Sequence, residues 1–228
     1  MHDFNFINYS KFFNEKIKGW QILADRYNKS IELNKYRNII VKKLLIKTDN
    51  LAVPIQVHSN NVKFTNKSGT FDDTDGLVTE DPELILSLQT ADCLPIFLFD
   101  KLNHIRGLIH AGWRGTKNKI VENALKIMLM KGSTLSDIIV VIGASIHKCC
   151  YEIGEELVPF FDENCIYSID GKKYLSLQEQ TLQNLSKIGI LKNNIHINER
   201  CTFMDINLSS YRRDKDSSGR MLSFMGNF

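Results

Sequence analysis

The stretch LILSLQTADCLPIFLFDKLNHIRGLIHA, residues 84–111, decides the fold of this chain. It contains three strand-like runs: residues 84–89 alternate apolar and polar side chains, residues 94–99 are mostly apolar, and residues 105–109 form the third run. Residues 100–103 are typical of a tight turn between the second and third runs. The stretch therefore predicts three strands, of which the second and third are joined by a tight turn.

Helical and strand patterns continue on both sides of this stretch. Further strands are expected at residues 51–57, 138–142, 195–197 and 221–225, with a loop or hairpin at 59–74. Helices are expected from Ser30 to about residue 45, from Thr116 or Asn118 to about Gly132, and over residues 154–161 and 175–188. The first helix is expected to bury Ile31, Ile40, Val41, Leu44 and Leu45. Interleaved helices, strands and tight turns predict mixed sheets covered by helices, in an α+β or α/β domain.

Composition places the chain among folded globular proteins. Of its 228 residues, 43% are hydrophobic and 24% are charged, which excludes a disordered chain because such chains lack apolar residues. The length fits one large domain or two small ones, and no shift in composition marks a boundary. Composition alone therefore leaves both arrangements open.

Charge and hydropathy limit the partners of the protein. A net charge of +3 is too small to indicate nucleic acid or an anionic membrane as a partner. The longest apolar runs are far shorter than a membrane span, and residues 1–20 lack a signal-peptide pattern, so we expect a cytoplasmic protein. A monomer or small homo-oligomer is expected. The five cysteines form no C-x-x-C pair and no disulfide framework, so cysteine chemistry must come from a thiol acting with distant residues.

Potential metal ligands stand where three predicted strands meet loops. They are His58, Cys93 and His110, and two imidazoles with one thiolate suit zinc while leaving a fourth position for water or substrate. The long spacings leave two other interpretations open. Cys93 and a histidine could be a nucleophile pair, or the three could be ordinary core residues.

Two further segments carry groups that recognise anions and rings. In HAGWRG, residues 110–115, Trp113 offers a stacking face and Arg114 an anion fork beside the start of a predicted helix. The alternative is a tight turn with a core Trp and a surface Arg. The segment of residues 209–220 holds three arginines, several hydroxyls and Tyr211, which could bind a phosphate or a nucleoside. A solvated basic loop is the alternative there.

Six segments in this order carry a family resemblance. The chain resembles the YfiH-type family, also called the laccase-domain, polyphenol-oxidase or purine nucleoside phosphorylase family, from about residue 30 to its C-terminal end. The matching segments are QVHS (56–59), TADCLPIF (90–97), HAGWRG (110–115), IGASIHKCCYEIG (142–154), CTF (201–203) and SSYRRDKDSSGRM (209–221).

The resemblance implies both a fold and an activity. The implied fold is a single α+β domain over residues 1–228, with two packed mixed β-sheets flanked by helices in α/β/β/α layers. The implied activity is zinc-dependent: phosphorolysis of adenosine, inosine, guanosine and methylthioadenosine to base and sugar 1-phosphate, and deamination of adenosine. The implied partners are therefore nucleosides and phosphate, and the implied Zn²⁺ ligands are His58, Cys93 and His110.

Roles for other residues follow from this implied chemistry. Cys93 and His110 would act through the metal, and Asp92 and Glu152 are candidates for carrying protons in deamination. The groups expected to bind substrate are Arg37 and Arg114 for phosphate, and Trp113 or Tyr211 for the purine.

Three alternatives differ in their chemistry. In one, Cys93 and His110 form the nucleophile pair of an amide hydrolase that edits peptidoglycan precursors, a role also attached to this family. In another, the protein acts mainly by binding a partner. A multicopper oxidase is rejected, because too few scattered histidines remain to build a trinuclear cluster: His2, His104, His147 and His196.

Overall fold

The computed structural model describes residues 4–23 and 33–228. The strands are β1 (Phe6–Asn8), β2 (Lys18–Ile22), β3 (Leu51–Pro54), β4 (Val62–Phe64), β5 (Gly69–Phe71), β6 (Gly76–Thr79), β7 (Ile85–Thr90), β8 (Leu94–Asp100), β9 (Arg106–Ala111), β10 (Ile138–Ile142), β11 (Glu152–Ile153), β12 (Ile166–Ile169), β13 (Lys172–Leu175), β14 (Ile195–Ile197) and β15 (Met221–Gly226). The α-helices are α1 (Leu33–Lys43), α2 (Trp113–Lys117), α3 (Ile120–Met130), α4 (Leu177–Ile188) and α5 (Tyr211–Asp214).

Two six-stranded mixed sheets form the body of the protein. The first has the order β1-β2-β15-β7-β3-β5 and the second the order β14-β10-β8-β9-β6-β4, while β11-β13-β12 form a small third sheet. Parallel pairs occur at β3–β7 and β3–β5 in the first sheet and at β10–β14 and β4–β6 in the second. The α+β class with two packed mixed sheets is thus confirmed.

The alternation of side chains along β8 explains the layer order. Phe97 and Phe99 face the first sheet and pack with Leu86 and Leu88 of β7. The alternate positions of β8 face the other way and pack against helices α3 and α4. On the outer face of the first sheet, Ile22 and Phe224 contact α1. The layers therefore run helix, sheet, sheet, helix.

The stretch of residues 84–111 forms strands as the pattern predicts, but it does not stay in one sheet. Strand β7 belongs to the first sheet, and the hairpin β8–β9 belongs to the second. The segment of residues 91–93 is the crossover between them, and Asp92 within it adopts a left-handed φ of 86°. This crossover brings the TADC segment to the edge shared by both sheets.

Several predicted elements differ from the observed ones. The expected strand at 51–57 ends at Pro54, because the backbone of the following residues turns to hydrogen-bond with the Asp75 carboxylate. The expected helix opening at Thr116 or Asn118 is two helices, interrupted at Lys119 with φ 60°. Leu45, expected to be buried, is 89% exposed because it lies beyond the end of α1 with a left-handed φ of 57°.

Other elements were not predicted. The expectation of a loop or hairpin at 59–74 is wrong, because the segment contains two strands that belong to different sheets: β5 pairs with β3, and β4 pairs with β6. Strands β1, β2, β6, β11, β12 and β13 were not predicted, since each is short and lacks clear alternation. Ser30 and Ile31 lie outside the described residues. Within the described ranges, no helix has the length and apolar character needed to cross a bilayer.

A buried polar network ties the first sheet to the end of β10. The Tyr9 hydroxyl donates to Gln21 Oε1 at 2.8 Å, and both oxygens accept from the Ala144 backbone N–H at 3.0 Å. The Gln21 amide donates to the Ala144 carbonyl at 3.0 Å, and Gln21 itself has no exposed surface. Buried polar groups without partners are costly, so these bonds fix how β2 sits against β10.

We expect Gln21→Leu to lower the free energy of unfolding by about 1–3 kcal/mol, because the Ala144 carbonyl and the Tyr9 hydroxyl lose partners in a buried place. Tyr9→Phe serves as the graded control and should lower the free energy of unfolding by less, because the Ala144 N–H still donates to Gln21 Oε1. Urea denaturation measures both variants. A Gln21→Leu protein as stable as the wild type would contradict the role of this network.

Candidate metal centre and active site

Three side chains from separate elements meet at one edge of the two sheets. His58 follows β3, Cys93 ends the crossover between β7 and β8, and His110 lies on β9. One donor atom from each lies within 4.8 Å of the others, and the two imidazole rings stand edge to face at 4.8 Å. The structure thus brings together the three residues expected as metal ligands.

The buried Asp75 carboxylate organises two of these residues. Its Oδ1 lies 2.8 Å from His110 Nδ1 and accepts the His58 backbone N–H at 3.0 Å, and its Oδ2 accepts the Ser59 N–H at 2.6 Å. The contact with Nδ1 leaves Nε2 of His110 as the nitrogen able to bind a metal, the usual arrangement around ligating histidines. The backbone contacts hold His58 at its left-handed φ of 60°. Asp75 has no exposed surface.

The electrostatics of the centre favour a thiolate. Burial opposes ionisation of the Cys93 thiol, but the imidazoles of His110 and His58 outweigh burial and lower the Cys93 pKa to about 6. Burial likewise opposes charge on His110, yet the Cys93 thiolate and the Asp75 carboxylate raise the His110 pKa to about 9. For Asp75, burial is outweighed by hydrogen bonds from His110 and Ser59, so its pKa lies well below the ordinary value.

Gly112 allows the backbone to approach the centre closely. A Cβ at this position would lie 3.0 Å from Cys93 Sγ and 3.3 Å from His58 Cδ2. A side chain there would push against two of the three donors. The backbone after β9 therefore forms one wall of the centre.

This donor set fits a zinc ion. Two imidazoles and a thiolate are ligands that zinc accepts, and three protein ligands are typical of a catalytic rather than a structural site. Asp75 supplies the carboxylate partner that commonly supports a ligating histidine. The three residues would hold the ion at the cavity wall, with the fourth position directed to substrate or solvent.

A cavity of about 580 Å³ opens beside the three donors. One part of its lining, the cationic wall, carries positive charge and aromatic rings and is formed by Tyr151, Tyr211, Arg212, Lys215 and Arg220. Polar residues of the lining include Gln56, Gln89, Thr90 and Asp92. A cavity that combines possible metal ligands with cations and aromatic rings suits an anion together with a flat ring system.

The two carboxylates expected to carry protons lie in different places. Asp92 lines the cavity, and its carboxylate accepts the Thr202 hydroxyl and the Arg212 backbone N–H, each at 2.6 Å. Glu152 is not among the residues that line this cavity, and its carboxylate forms an ion pair with Lys172 at 3.0 Å. Its backbone carbonyl instead accepts Arg212 Nη1 at 2.7 Å. Asp92 thus positions the segment that carries the cationic wall.

The expected substrate-binding residues also divide into two groups. Tyr211 lines the cavity and is 48% exposed. Arg37 lies behind the lining, where its Nη2 donates to Gln89 Oε1 at 3.4 Å, and burial lowers its pKa to about 10. Trp113 packs against the core and Arg114 stacks on its ring at 4.3 Å, and neither is among the residues found lining the described cavity.

Sequence reasoning missed several residues of the site. Asp75 lies just after the loop or hairpin expected at 59–74, where no element is predicted, and nothing in the residues around it signals its contact with His110. Tyr151 follows the cysteine pair of the fourth matching segment, and Gln56 precedes His58 by two positions, so their places in matched segments were available signals. Lys215 lies within the basic segment already considered, where a phosphate was expected.

Comparisons with known proteins show the family of this chain and agree with its fold. Residues 24–227 match the family model described as multi-copper polyphenol oxidoreductase laccase. A purine nucleoside phosphorylase of Clostridium acetobutylicum is 35% identical over 178 residues, covering 75% of this chain and 74% of that protein. One from Aquifex aeolicus is 35% identical over 176 residues, covering 77% and 82%. Among solved structures, YlmD from Geobacillus stearothermophilus superposes with a TM-score of 0.86 at 24% identity, covering 93% of this chain and 92% of that one.

The fold and the three-donor centre define a protein of the laccase-domain class. The chain belongs to the family described as multi-copper polyphenol oxidoreductase laccase, the YfiH-type family whose segments it carries. The crystal structure of YfiH from Bacillus licheniformis shares its fold, with a TM-score of 0.85 over 93% of each chain.

We expect Asp75→Asn to weaken zinc binding by about 10–100-fold, because the amide cannot accept from His110 and from the His58 segment as the carboxylate does. Asp72→Asn is the matched control, since Asp72 lies on the same loop with its side chain exposed. Competition with a chromophoric chelator gives both affinities. Equal zinc affinity in the two variants would remove Asp75 from the support of the centre.

Proposed function

We propose that this protein is a zinc-dependent purine nucleoside phosphorylase that also deaminates adenosine. The single observation that carries the proposal is the cluster of His58, Cys93 and His110 in the lining of a cavity that also carries cationic and aromatic side chains. The proposed nucleosides are adenosine, inosine, guanosine and methylthioadenosine. The names of the relatives in Clostridium and Aquifex support the reaction class.

The size and lining of the cavity support a nucleoside with phosphate. A volume of about 580 Å³ lies within the usual range for small-molecule sites. Tyr151 and Tyr211 offer ring faces for a purine. Arg212, Lys215 and Arg220 offer charge for a phosphate.

The chain itself orients the phosphate-binding groups. The Arg212 backbone is held by Asp92, its guanidinium donates to the Glu152 carbonyl, and it lies over the Tyr151 ring at 5.0 Å. Such fixed groups reduce the entropy lost when phosphate and nucleoside bind together. In phosphorolysis a phosphate oxygen bonds to the anomeric carbon, and the base leaves with the electron pair of the glycosidic bond. A zinc ion at the three donors would supply a Lewis acid next to these groups.

The proposed deamination rests on Asp92 rather than Glu152. Asp92 lines the cavity, whereas the Glu152 carboxylate is engaged by Lys172. Removing the amino group of adenosine needs a group that carries protons, and Asp92 is the cavity carboxylate next in sequence to a proposed ligand. Its hydrogen bonds from the Thr202 hydroxyl and the Arg212 backbone N–H hold this carboxylate at a fixed place in the cavity.

A second candidate function is an amide hydrolase in which Cys93 is the nucleophile. The lowered pKa of Cys93 and its closeness to His110 are the features of an activated thiolate pair. Such an enzyme would need no bound metal, so metal content separates the two functions.

We expect purified protein to contain near-stoichiometric zinc and to release a free purine base from nucleosides only when phosphate is present. Cys93→Ala should abolish this turnover and lower the zinc content, because one of three donors is removed. Cys165→Ala, a buried cysteine outside the site, is the control and should keep both. Full turnover by Cys93→Ala would reject the proposed chemistry. A metal-free wild type with a reactive Cys93 thiol would favour the hydrolase.

The cationic wall gives a separate expectation. Lys215→Met should raise the KM for phosphate by at least roughly 10-fold with little change in kcat, because a charge-assisted hydrogen bond contributes about 1.5–3 kcal/mol to binding. Lys192→Met, at an exposed position outside the cavity, is the matched control. Steady-state kinetics with phosphate as the varied substrate measure both. An unchanged KM for phosphate would place the anion elsewhere.

A further inference from the structure

A cluster of three cysteine thiols forms a second group of potential metal ligands, separate from the proposed zinc centre. Cys149 Sγ is 3.1 Å from Cys150 Sγ and 3.7 Å from Cys201 Sγ, and all three sulfurs lie within 4.8 Å of one another. None of the three lines the described cavity. The cluster was not foreseen from the sequence, because 51 residues separate Cys150 from Cys201.

The backbone holds this cluster in place from two directions. Ser145 and Cys201 form a parallel bridge, and the Thr202 N–H donates to the Ser145 carbonyl at 3.0 Å. After Ser145 the chain makes a turn, in which the Cys150 N–H donates to the His147 carbonyl at 2.9 Å. The turn carries two thiols and the bridge fixes the third beneath them.

Cys201 occupies a pocket of backbone donors. The His147 N–H donates to Cys201 Sγ at 3.4 Å. Burial opposes ionisation of this thiol, but the neighbouring backbone N–H groups of Met204, His147 and Phe203 lower its pKa. Backbone N–H groups directed at a sulfur stabilise negative charge on that sulfur. An ordinary buried cysteine, which behaves as a small hydrophobe, does not need such a set of donors.

We propose that Cys149, Cys150 and Cys201 bind a thiophilic metal ion, with the three sulfurs as ligands. Zinc–sulfur bonds of about 2.3 Å in tetrahedral geometry place two thiolates about 3.8 Å apart. The 3.7 Å between the sulfurs of Cys149 and Cys201 matches this separation, and the sulfurs of Cys149 and Cys150, at 3.1 Å, would move apart slightly on binding. Thiolates select zinc and Cu(I) among the common ions. Cys149 is exposed while Cys201 is buried, so an ion enters from solvent and is held from below.

A disulfide accounts less well for the same three sulfurs. A bond between the adjacent Cys149 and Cys150 would be strained. A bond between Cys149 and Cys201 would leave Cys150 beside it without a role, and would require an oxidant and movement of the sulfurs from 3.7 Å to about 2.05 Å. Metal binding uses all three thiols and only requires that their protons be released.

The cluster borders the cavity wall through two neighbours in sequence. Cys150 precedes Tyr151, which lines the cavity. Cys201 precedes Thr202, whose hydroxyl donates to Asp92. The proposed site is thus separate from the His58, Cys93 and His110 centre but shares a supporting segment with it.

Titration of the reduced protein with Cd²⁺ without oxygen tests the proposal, because cadmium thiolates absorb in the ultraviolet. Cys93→Ser provides the background, since it removes the only thiol of the other centre. In this background we expect one equivalent of Cd²⁺ to bind with thiolate absorbance and to protect the three cysteines from alkylation. Adding Cys149→Ser should weaken Cd²⁺ binding by at least about 10-fold, because loss of a ligand costs no less than loss of a group that supports a ligand. Cys149 is exposed, so its replacement leaves the core intact.

Adding Cys165→Ser instead is the matched control and should leave binding unchanged. The proposal is overturned if Cys93→Ser shows no thiolate absorbance with Cd²⁺, or if Cys149→Ser leaves the Cd²⁺ affinity and the protection of Cys150 and Cys201 from alkylation unchanged. Recovery of a Cys149–Cys201 disulfide in place of metal would also overturn it. Displacement of Cd²⁺ by Zn²⁺ or by Cu(I) supports the site and identifies which ion it prefers.

Discussion

The contact between the buried Asp75 carboxylate and His110 is the interaction on which the site depends. A carboxylate without exposed surface is costly unless its charge is compensated, and here an imidazole, three backbone N–H groups and a hydroxyl provide the compensation. The same contacts bend the chain after β3 and set the ring of His110. One buried charge therefore positions two of the three donors.

The crossover between the sheets is the second constraint. Because β7 pairs in the first sheet and β8 in the second, residues 91–93 must pass between them at a fixed place. Asp92 takes the left-handed conformation there and binds the Thr202 hydroxyl and the Arg212 backbone. The segment that presents Cys93 thus also anchors the segment that carries the cationic wall.

Residue type and local pattern were enough for much of the fold and part of the site. The runs within residues 84–111 gave strands at nearly the expected bounds, and the family resemblance supplied the layers of the fold. The sheet to which a strand belongs could not be predicted, because the consecutive strands β4 and β5 do not pair with each other. Strand β4 pairs with β6, and β5 pairs with β3. The role of Asp75 could not be predicted for the same reason, because its contact with His110 forms only when β6 pairs with β9. Trp113 and Arg114 are the opposite case, in which sequence suggested a role that the structure does not require. Their residue types suit a ligand, but Arg114 stacks on the Trp113 ring and Trp113 packs against the core.

The origin of the three donors has a consequence for folding. His58 comes from a segment that leaves the first sheet, His110 comes from a strand of the second, and Cys93 comes from the connection between them. An ion bound by all three is then a reversible cross-link between the two layers. Cross-links that close loops in the unfolded chain, and ligands that bind only the folded chain, both favour the native state. The unfolding temperature of this protein should therefore depend on the concentration of free metal, so that removal of the ion loosens the joint between the sheets before it affects either sheet alone.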